Sequence, residues 1–349
     1  MLFVGMVPCS RMKPTAAPKP THDVITIGSA VIDEYAMSHA FELMPSAKAP
    51  DGFNTCFPMG AKLGLTGLTQ ETGGGATNAA VTFSRLGFRA ATICRVGRDL
   101  LGEHIVRRLD AEGVRTAYAQ RDPELHTGQS IILVSDIGYR SILVYRGASA
   151  KIDRREIPWT KLRPRWFYVT ALGGNLGLLS LILERAEQVG ARVAWNPGNA
   201  ELEKGLPRLT PLIRRVDILD LNREEAALLT HKPARHLRSI VGKLSDLPKI
   251  AFLCTDGPRG AYLASRGCTW HCPSLPGKRV NTTGAGDALG SGFVAGFMRT
   301  CDLVTGLKVG MLNALGVITH MGAKVGILKR WPSERELARV KVRSVRLRD

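Results

Sequence analysis

The chain has 349 residues, 44% of them hydrophobic, and 48 basic against 30 acidic side chains, for a formal charge of +18. That balance suits a folded, soluble chain with a sizeable core and excludes a disordered one. No apolar run approaches the roughly 20 residues that cross a bilayer, and the basic residues are scattered without interleaved aromatics, so the charge reads as a solvated surface that would attract an anionic co-substrate rather than nucleic acid.

In chain order, residues 1–22 read as a flexible tail. MLFVGMVPCS lacks a basic start and its apolar stretch is short for a signal sequence, so a cytoplasmic protein is expected. DVITIG (23–28) is a short apolar run closed by Gly28, the pattern of a buried strand. Residues 78–86 have helical spacing before Gly87, 91–96 read as a strand, and 102–112 read as a helix with Ile105, Val106 and Leu109 on one face. Strand-like runs recur at 166–169, 193–195, 218–221 and 250–254, with helical stretches such as 178–189 and 224–230 between them. Alternation of this kind predicts a three-layer α/β/α sandwich around a mostly parallel sheet.

Two segments break the rhythm. Residues 34–72 are long and glycine-rich, and 129–146 hold SIILVS and RSILVY around Asp136, Ile137 and Gly138. Together, as 34–72 and 127–148, they are expected to form a small β lid outside a core spanning 23–330, with a basic segment at 331–349. Exposed lid strands would also allow a homodimer. The seven cysteines are dispersed, and Cys268, His271 and Cys272 find no second cluster to complete four metal ligands. A hairpin with free thiols is expected there.

The strongest local signal is Asn281-Thr282-Thr283-Gly284-Ala285-Gly286-Asp287 before a helical pattern. Its glycines let the backbone N–H groups of Gly284, Ala285 and Gly286 converge at the positive end of that helix, a nest for an anion. Asp287 is placed to take a proton, although a plain glycine turn with an aspartate at the helix start accounts for it equally well. The glycine spacing is one residue too long for a dinucleotide fingerprint, and no G-x-x-x-x-G-K-[ST] occurs. A second glycine run, Gly73-Gly74-Gly75, leads to Asn78, and Asp33 follows the first strand, where open α/β sheets bind ligands.

In their order, Gly28…Asp33, GGGATNAA, Gly97-Arg98-Asp99…Gly102 and NTTGAGD resemble the ribokinase or PfkB family of carbohydrate and nucleoside kinases, over residues 23–328. The resemblance implies a ribokinase-like fold and transfer of phosphate from Mg²⁺-bound ATP to a sugar hydroxyl. It implies that Asp287 is the base, that 284–286 form the anion hole, and that Asp33, Gly74, Gly75 and Asn78 hold the acceptor. It further implies that Asn222 and Glu225 organise Mg²⁺ and phosphates, that Asn196, Thr255 and Gly257 meet the nucleotide phosphates, and that Asn313 lines the adenine pocket. Many relatives begin the late signature with Asp where this chain has Asn281, beside the family's monovalent-cation loop, so activation by K⁺ is left open. Gly75 stands where ribokinases commonly have lysine, and Ala171-Leu172 lacks an acid that some use against the sugar, so ribose is not specified. A nucleoside kinase stacking a base on Phe53, Phe57, Tyr139 or Tyr145 remains an alternative. So do a phosphosugar acceptor met by Arg98, Arg140 or Arg146 and a non-catalytic binder of sugar or nucleotide, although a binder has no use for Asp287.

Overall fold

A computed structural model describes residues 20–49, 52–136 and 140–347. The expected tail lies outside them except for its last three residues, and Ile137, Gly138 and Tyr139 lie outside them as well. The first apolar run is β1 (His22–Ile27), which ends at Gly28 with φ at +147°. A Cβ on Gly28 would stand 2.0 Å from Thr170 Oγ1, so this close strand-end crossing requires glycine.

The chain then leaves the core through β2 (Val31–Met37), β3 (Glu42–Pro45), β4 (Phe53–Cys56) and β5 (Gly67–Gly73). It returns in α1 (Gly75–Arg85), β6 (Ala90–Ile93), β7 (Arg95–Gly97), α2 (Leu100–Ala111) and β8 (Gln120–Asp122), and departs again in β9 (Gly128–Val134) and β10 (Arg140–Tyr145). Next come β11 (Pro164–Val169), α3 (Leu176–Val189), β12 (Arg192–Trp195), α4 (Asn199–Leu202), α5 (Leu206–Ile213), β13 (Ile218–Asn222), α6 (Arg223–Thr230), α7 (Leu237–Leu244) and β14 (Ala251–Thr255). The hairpin β15 (Ala261–Ser265) and β16 (Cys268–Cys272) precedes two long helices, α8 (Ala285–Thr300) and α9 (Leu303–Ile318). Helix α10 (Glu334–Arg339) and β17 (Arg343–Ser344) follow.

Six strands lie parallel in the order β6-β1-β11-β12-β13-β14, and β15, β16 and β17 continue the sheet antiparallel. Successive strand side chains point to opposite faces, so continuous apolar runs build two cores. Ile25, Phe167, Trp195 and Leu219 pack among residues of α3 and α5–α7, whereas Val24, Trp166, Tyr168 and Leu253 pack among those of α1, α8 and α9. Helices α8 and α9 meet backbone to backbone: a Cβ on Gly296 would be 2.7 Å from Gly306 Cα, and one on Gly292 would be 2.9 Å from Gly310 Cα.

The strand expected at 91–96 divides at Cys94. Its second half, β7, leaves the sheet to pair with β8, where buried Arg95 meets Asp122 at 2.7 Å and Glu156 at 2.6 Å. The lid is a separate four-stranded sheet in the order β10-β9-β2-β5. It begins earlier than expected: Asp33 is not at the end of β1 but inside β2, paired across to Glu71 and Ser130. The basic segment beyond 330 joins the central sheet, where β17 pairs with β16 at the edge. Cys272 is buried and Cys268 exposed in the β15–β16 hairpin, and both thiols are free.

Candidate active site

The carboxyl ends of the parallel strands and the start of α8 enclose the site, as open α/β sheets dictate. Gly284 caps α8 in the left-handed region (φ +79°), and an added Cβ would stand 2.5 Å from Ala323 Cβ, so the loop at 320–326 presses directly on this turn. Of the three expected anion-hole donors, the Ala285 N–H bonds Thr282 O at 3.2 Å, while Gly286 lies in the first helical turn, whose N–H groups a helix leaves unpaired. Asp287 follows one residue later. Burial pushes its carboxyl above the usual range; the hydrogen bond from Asn78 and the charge of Lys324 pull the other way, and Asp33 adds to the rise.

Among the residues expected to hold the acceptor, Asp33 is buried, and burial likewise raises its carboxyl, opposed by a hydrogen bond with Ser130 and by Lys324. Gly73 is shaped around it, since a Cβ there would be 2.1 Å from Asp33 Oδ2. Asn78 reaches across from α1 to donate to Asp287 Oδ2 at 2.8 Å, leaving its own buried Oδ1 without a partner. Gly74 has φ +97° and lies against the Ser29 carbonyl, and the Gly75 N–H donates to Ser29 Oγ at 3.0 Å. These glycines therefore set the strand-end backbone that carries Asn78 to the site.

The strand ends β12, β13 and β14 bring Asn196, Asp220, Asn222, Glu225 and Thr255 together with Gly284, Gly286 and Asp287 around a cavity of ≈ 200 Å³. Asn222 and Glu225 form a capping box at the start of α6: Asn222 Oδ1 accepts from the Glu225 N–H, and Glu225 Oε2 accepts from the Asn222 N–H, each at 2.8 Å. Burial raises the Glu225 carboxyl. Sequence reasoning missed Asp220, whose signal was an acid inside the apolar run ILDLN. It is buried, its Oδ1 has no partner, and burial beside Glu225 and Asp287 raises its carboxyl well above the usual range. No three acids, histidines or cysteines among the described residues stand close enough to chelate an ion directly. Orphaned carboxylate oxygen in a roomy polar cavity fits a hydrated Mg²⁺, which keeps several of its waters.

Beyond Thr255, Gly257 (φ +50°) opens a tight turn fixed by Asp256. Burial raises the Asp256 carboxyl, but hydrogen bonds from Arg259 and Arg223, both at 2.7 Å, outweigh it and hold the group below its ordinary value. Gly257, Leu275, Leu289, Met311, Ala314, Leu315 and Ile318 line an apolar cavity of ≈ 160 Å³ that opens past Thr255 and Gly286. Asn313 is not among them, contrary to expectation. It is fully buried, donates to Ala288 O at 2.8 Å and Thr82 Oγ1 at 3.2 Å, and accepts from the Leu328 N–H at 2.9 Å. It ties α9 to α8 and α1 on the side away from the cavity. The Gly97-Arg98-Asp99…Gly102 motif is structural as well: Asp99 caps α2 through the Gly102 N–H and holds Thr127, and Arg98 is exposed.

Two cations flank the α8 turn. Lys324, which no sequence pattern marked, is buried, donates to Thr72 O at 2.7 Å, and has its ammonium lowered to about 7 by burial, against the pull of Asp33 and Asp287. Arg140, on lid strand β10, bonds Asn281 Oδ1 at 2.5 Å and Thr283 Oγ1 at 3.3 Å, and also Thr282 Oγ1.

The sequence profile of the pfkB family carbohydrate kinases matches residues 22–330. A deoxyribokinase of Salmonella typhi is 26% identical over 257 residues, spanning 72% of this chain and 83% of that protein. Among solved structures, Arabidopsis thaliana ribokinase in complex with ribose and ATP superposes with a TM-score of 0.73 at 20% identity, covering 91% of this chain and 97% of that one. Adenosine kinase from Sinorhizobium meliloti gives 0.71 at 23% identity, covering 88% and 97%. At those identities the structural matches establish the fold.

Proposed function

The chain belongs to the pfkB family of carbohydrate kinases, and from that premise we propose that it transfers the γ-phosphoryl group of ATP to a hydroxyl of a sugar, with Asp287 as general base. The observation that carries this reading is a carboxylate shared by two groups of residues: Asp287 accepts from Asn78 and feels the charge of Asp33, and it also lines the cavity that Asn196, Asn222 and Glu225 surround.

The acceptor hydroxyl lies between Asp33 and Asp287, and Asn78 holds the Asp287 carboxylate ready to take its proton. The adenine enters the apolar cavity beside Met311 and Leu315, which leads its phosphates past Thr255 and Gly257 to the 284–286 turn. Donors fixed at that turn meet the charge that builds on the transferred phosphoryl oxygens. Asp220, Asn222 and Glu225 would hold the water shell of Mg²⁺, which supplies charge neutralisation to the phosphates when bound. Asn281 does not suit a monovalent cation: its Oδ1 already accepts from Arg140 and from the Thr283 N–H, and its Nδ2 donates to Tyr35.

No helix among the described residues is long and apolar enough to cross a membrane, and a cytoplasmic enzyme acting on small molecules is the reading we adopt. The lid exposes Leu68, Ile142, Leu143, Val144 and Tyr145, a surface suited to a second copy of the chain, which sedimentation would detect. The deciding experiment is ADP release with Mg²⁺ and ATP across pentoses, deoxypentoses, hexoses, phosphosugars and nucleosides. A sugar acceptor is expected, with turnover lost in Asp287→Asn while ATP still binds; turnover on adenosine or inosine alone reassigns the acceptor, and no turnover on any of them overturns the reading.

A further inference from the structure

We propose that Arg140 is a positioning residue that fixes the anion-hole loop and stands in for a bound monovalent cation there, an inference that rests on the kinase reading above. Arg140 comes from the lid, yet its guanidinium engages all three side chains of the Asn281-Thr282-Thr283 loop that leads into the donors at 284–286. A guanidinium is planar, permanently charged and able to hold several acceptors at once, which suits it to fixing a loop in one shape.

The loop has no acceptor left for a metal ion at Asn281. A carboxamide oxygen has two lone pairs; here one accepts from Arg140 at 2.5 Å and the other from the Thr283 N–H at 3.0 Å. The amide nitrogen is turned toward Tyr35 Oη, 3.0 Å away, and both residues are buried. A hard monovalent cation binds through oxygen, so the protein supplies the positive charge itself.

The grip is also coupled to the acceptor. Tyr35 and Asp33 lie two residues apart on β2 and so share one face of the lid sheet. Arg140 lies on β10 of the same sheet, reached through β9. One rigid sheet thus carries the acceptor contact and both residues that hold Asn281, so the loop takes its working shape as the lid meets the acceptor. From behind, the segment carrying Lys324 presses Ala323 against Gly284, and the turn is held from two directions.

The test compares phosphoryl transfer to the best acceptor from the screen at equal ionic strength, with potassium or tetramethylammonium as the sole monovalent cation. The wild-type enzyme is expected to turn over equally in both. Arg140→Ala should lose about 10- to 100-fold in kcat in tetramethylammonium, the scale of removing a residue that orients a catalytic group, with little change in the KM for ATP. The double variant Arg140→Ala/Asn281→Asp, which restores an anionic oxygen ligand, should regain turnover in potassium and not in tetramethylammonium; a purely structural role gives no such salt dependence. Potassium dependence in the wild type overturns the proposal, as does undiminished turnover of Arg140→Ala in tetramethylammonium. Hydrogen exchange at the amides of 282–287 reads the same contact without turnover. Faster exchange there in Arg140→Ala, with the core strands unchanged, supports the proposal, and unchanged exchange overturns it. If no acceptor is phosphorylated in either salt the kinase reading fails, and hydrogen exchange still decides whether Arg140 holds the loop.

Discussion

Asn78 donates its side-chain amide to Asp287 Oδ2 at 2.8 Å across 209 positions of sequence, joining the start of α1 to the start of α8. The bond favours the ionised carboxylate against the burial that disfavours it. Asn78→Ala is therefore expected to move the acid limb of the kcat/KM profile to higher pH, because a larger fraction of Asp287 is then protonated at any given pH. It should also lower kcat at the plateau about 10-fold through loss of orientation. A pH–rate profile checks both.

Lys324 acts on the same carboxylate through space. Its ammonium, charged below a pH of about 7, lowers the Asp287 and Asp33 carboxyls. In Lys324→Met both should rise, so the acid limb again shifts upward, this time with the Asn78 bond intact. A limb that stays in place in this variant would show that the lysine serves only to hold Thr72 O.

At the root of α8, Gly290 faces the buried acid. A Cβ on it would lie 2.0 Å from Asp220 Oδ2 and 2.7 Å from Tyr168 Oη. Gly290→Ala should destabilise the fold by about 1–3 kcal/mol, the usual cost of overpacking, despite the better helix propensity of alanine. Denaturant unfolding measures this, and a neutral or stabilising result would mean that α8 can shift at no cost.

Asp256 carries no chemistry, yet it holds the Thr255–Gly257 turn between Arg223 and Arg259. Removing a buried partner leaves uncompensated charge; Asp256→Ala should cost about 3 kcal/mol, the low end of that range, because one of the two arginines is largely solvated. Its KM for ATP should rise while the dependence of turnover on the sugar acceptor stays unchanged, which steady-state kinetics with each substrate varied in turn would show.

The α/β alternation and the α8 turn were legible because backbone sterics write them: Gly284 at φ +79° and Gly28 against Thr170 admit no other residue. Asn222 and Glu225 were reached through the family resemblance, and the structure adds a local reason for their spacing: they form a capping box at the edge of the cavity that Asp287 lines. Asn313 was placed at the adenine pocket by resemblance alone, and the mostly apolar sequence of α9 offers little periodicity to show which face it takes. The cavity on its other face is lined by Met311, Ala314 and Leu315, which have no polar signature. Asp33 was assigned to the wrong element because VIDEYAM continues the apolar texture of β1, and only sheet pairing separates the two. Lys324 and Arg140 act through distance alone, and distance is not written in spacing.

The two residues of β17 close the free edge of a nine-stranded sheet. Cutting the chain at 340 would leave the outer side of β16 with unpaired N–H and C=O groups beside the exposed Cys268 thiol. A truncated enzyme of that kind would expose the adhesive edge that folded sheets ordinarily shield. Its loss in cells would then be a matter of aggregation rather than chemistry, so an inactive truncation should be judged by its state of assembly before any catalytic role is given to the residues removed.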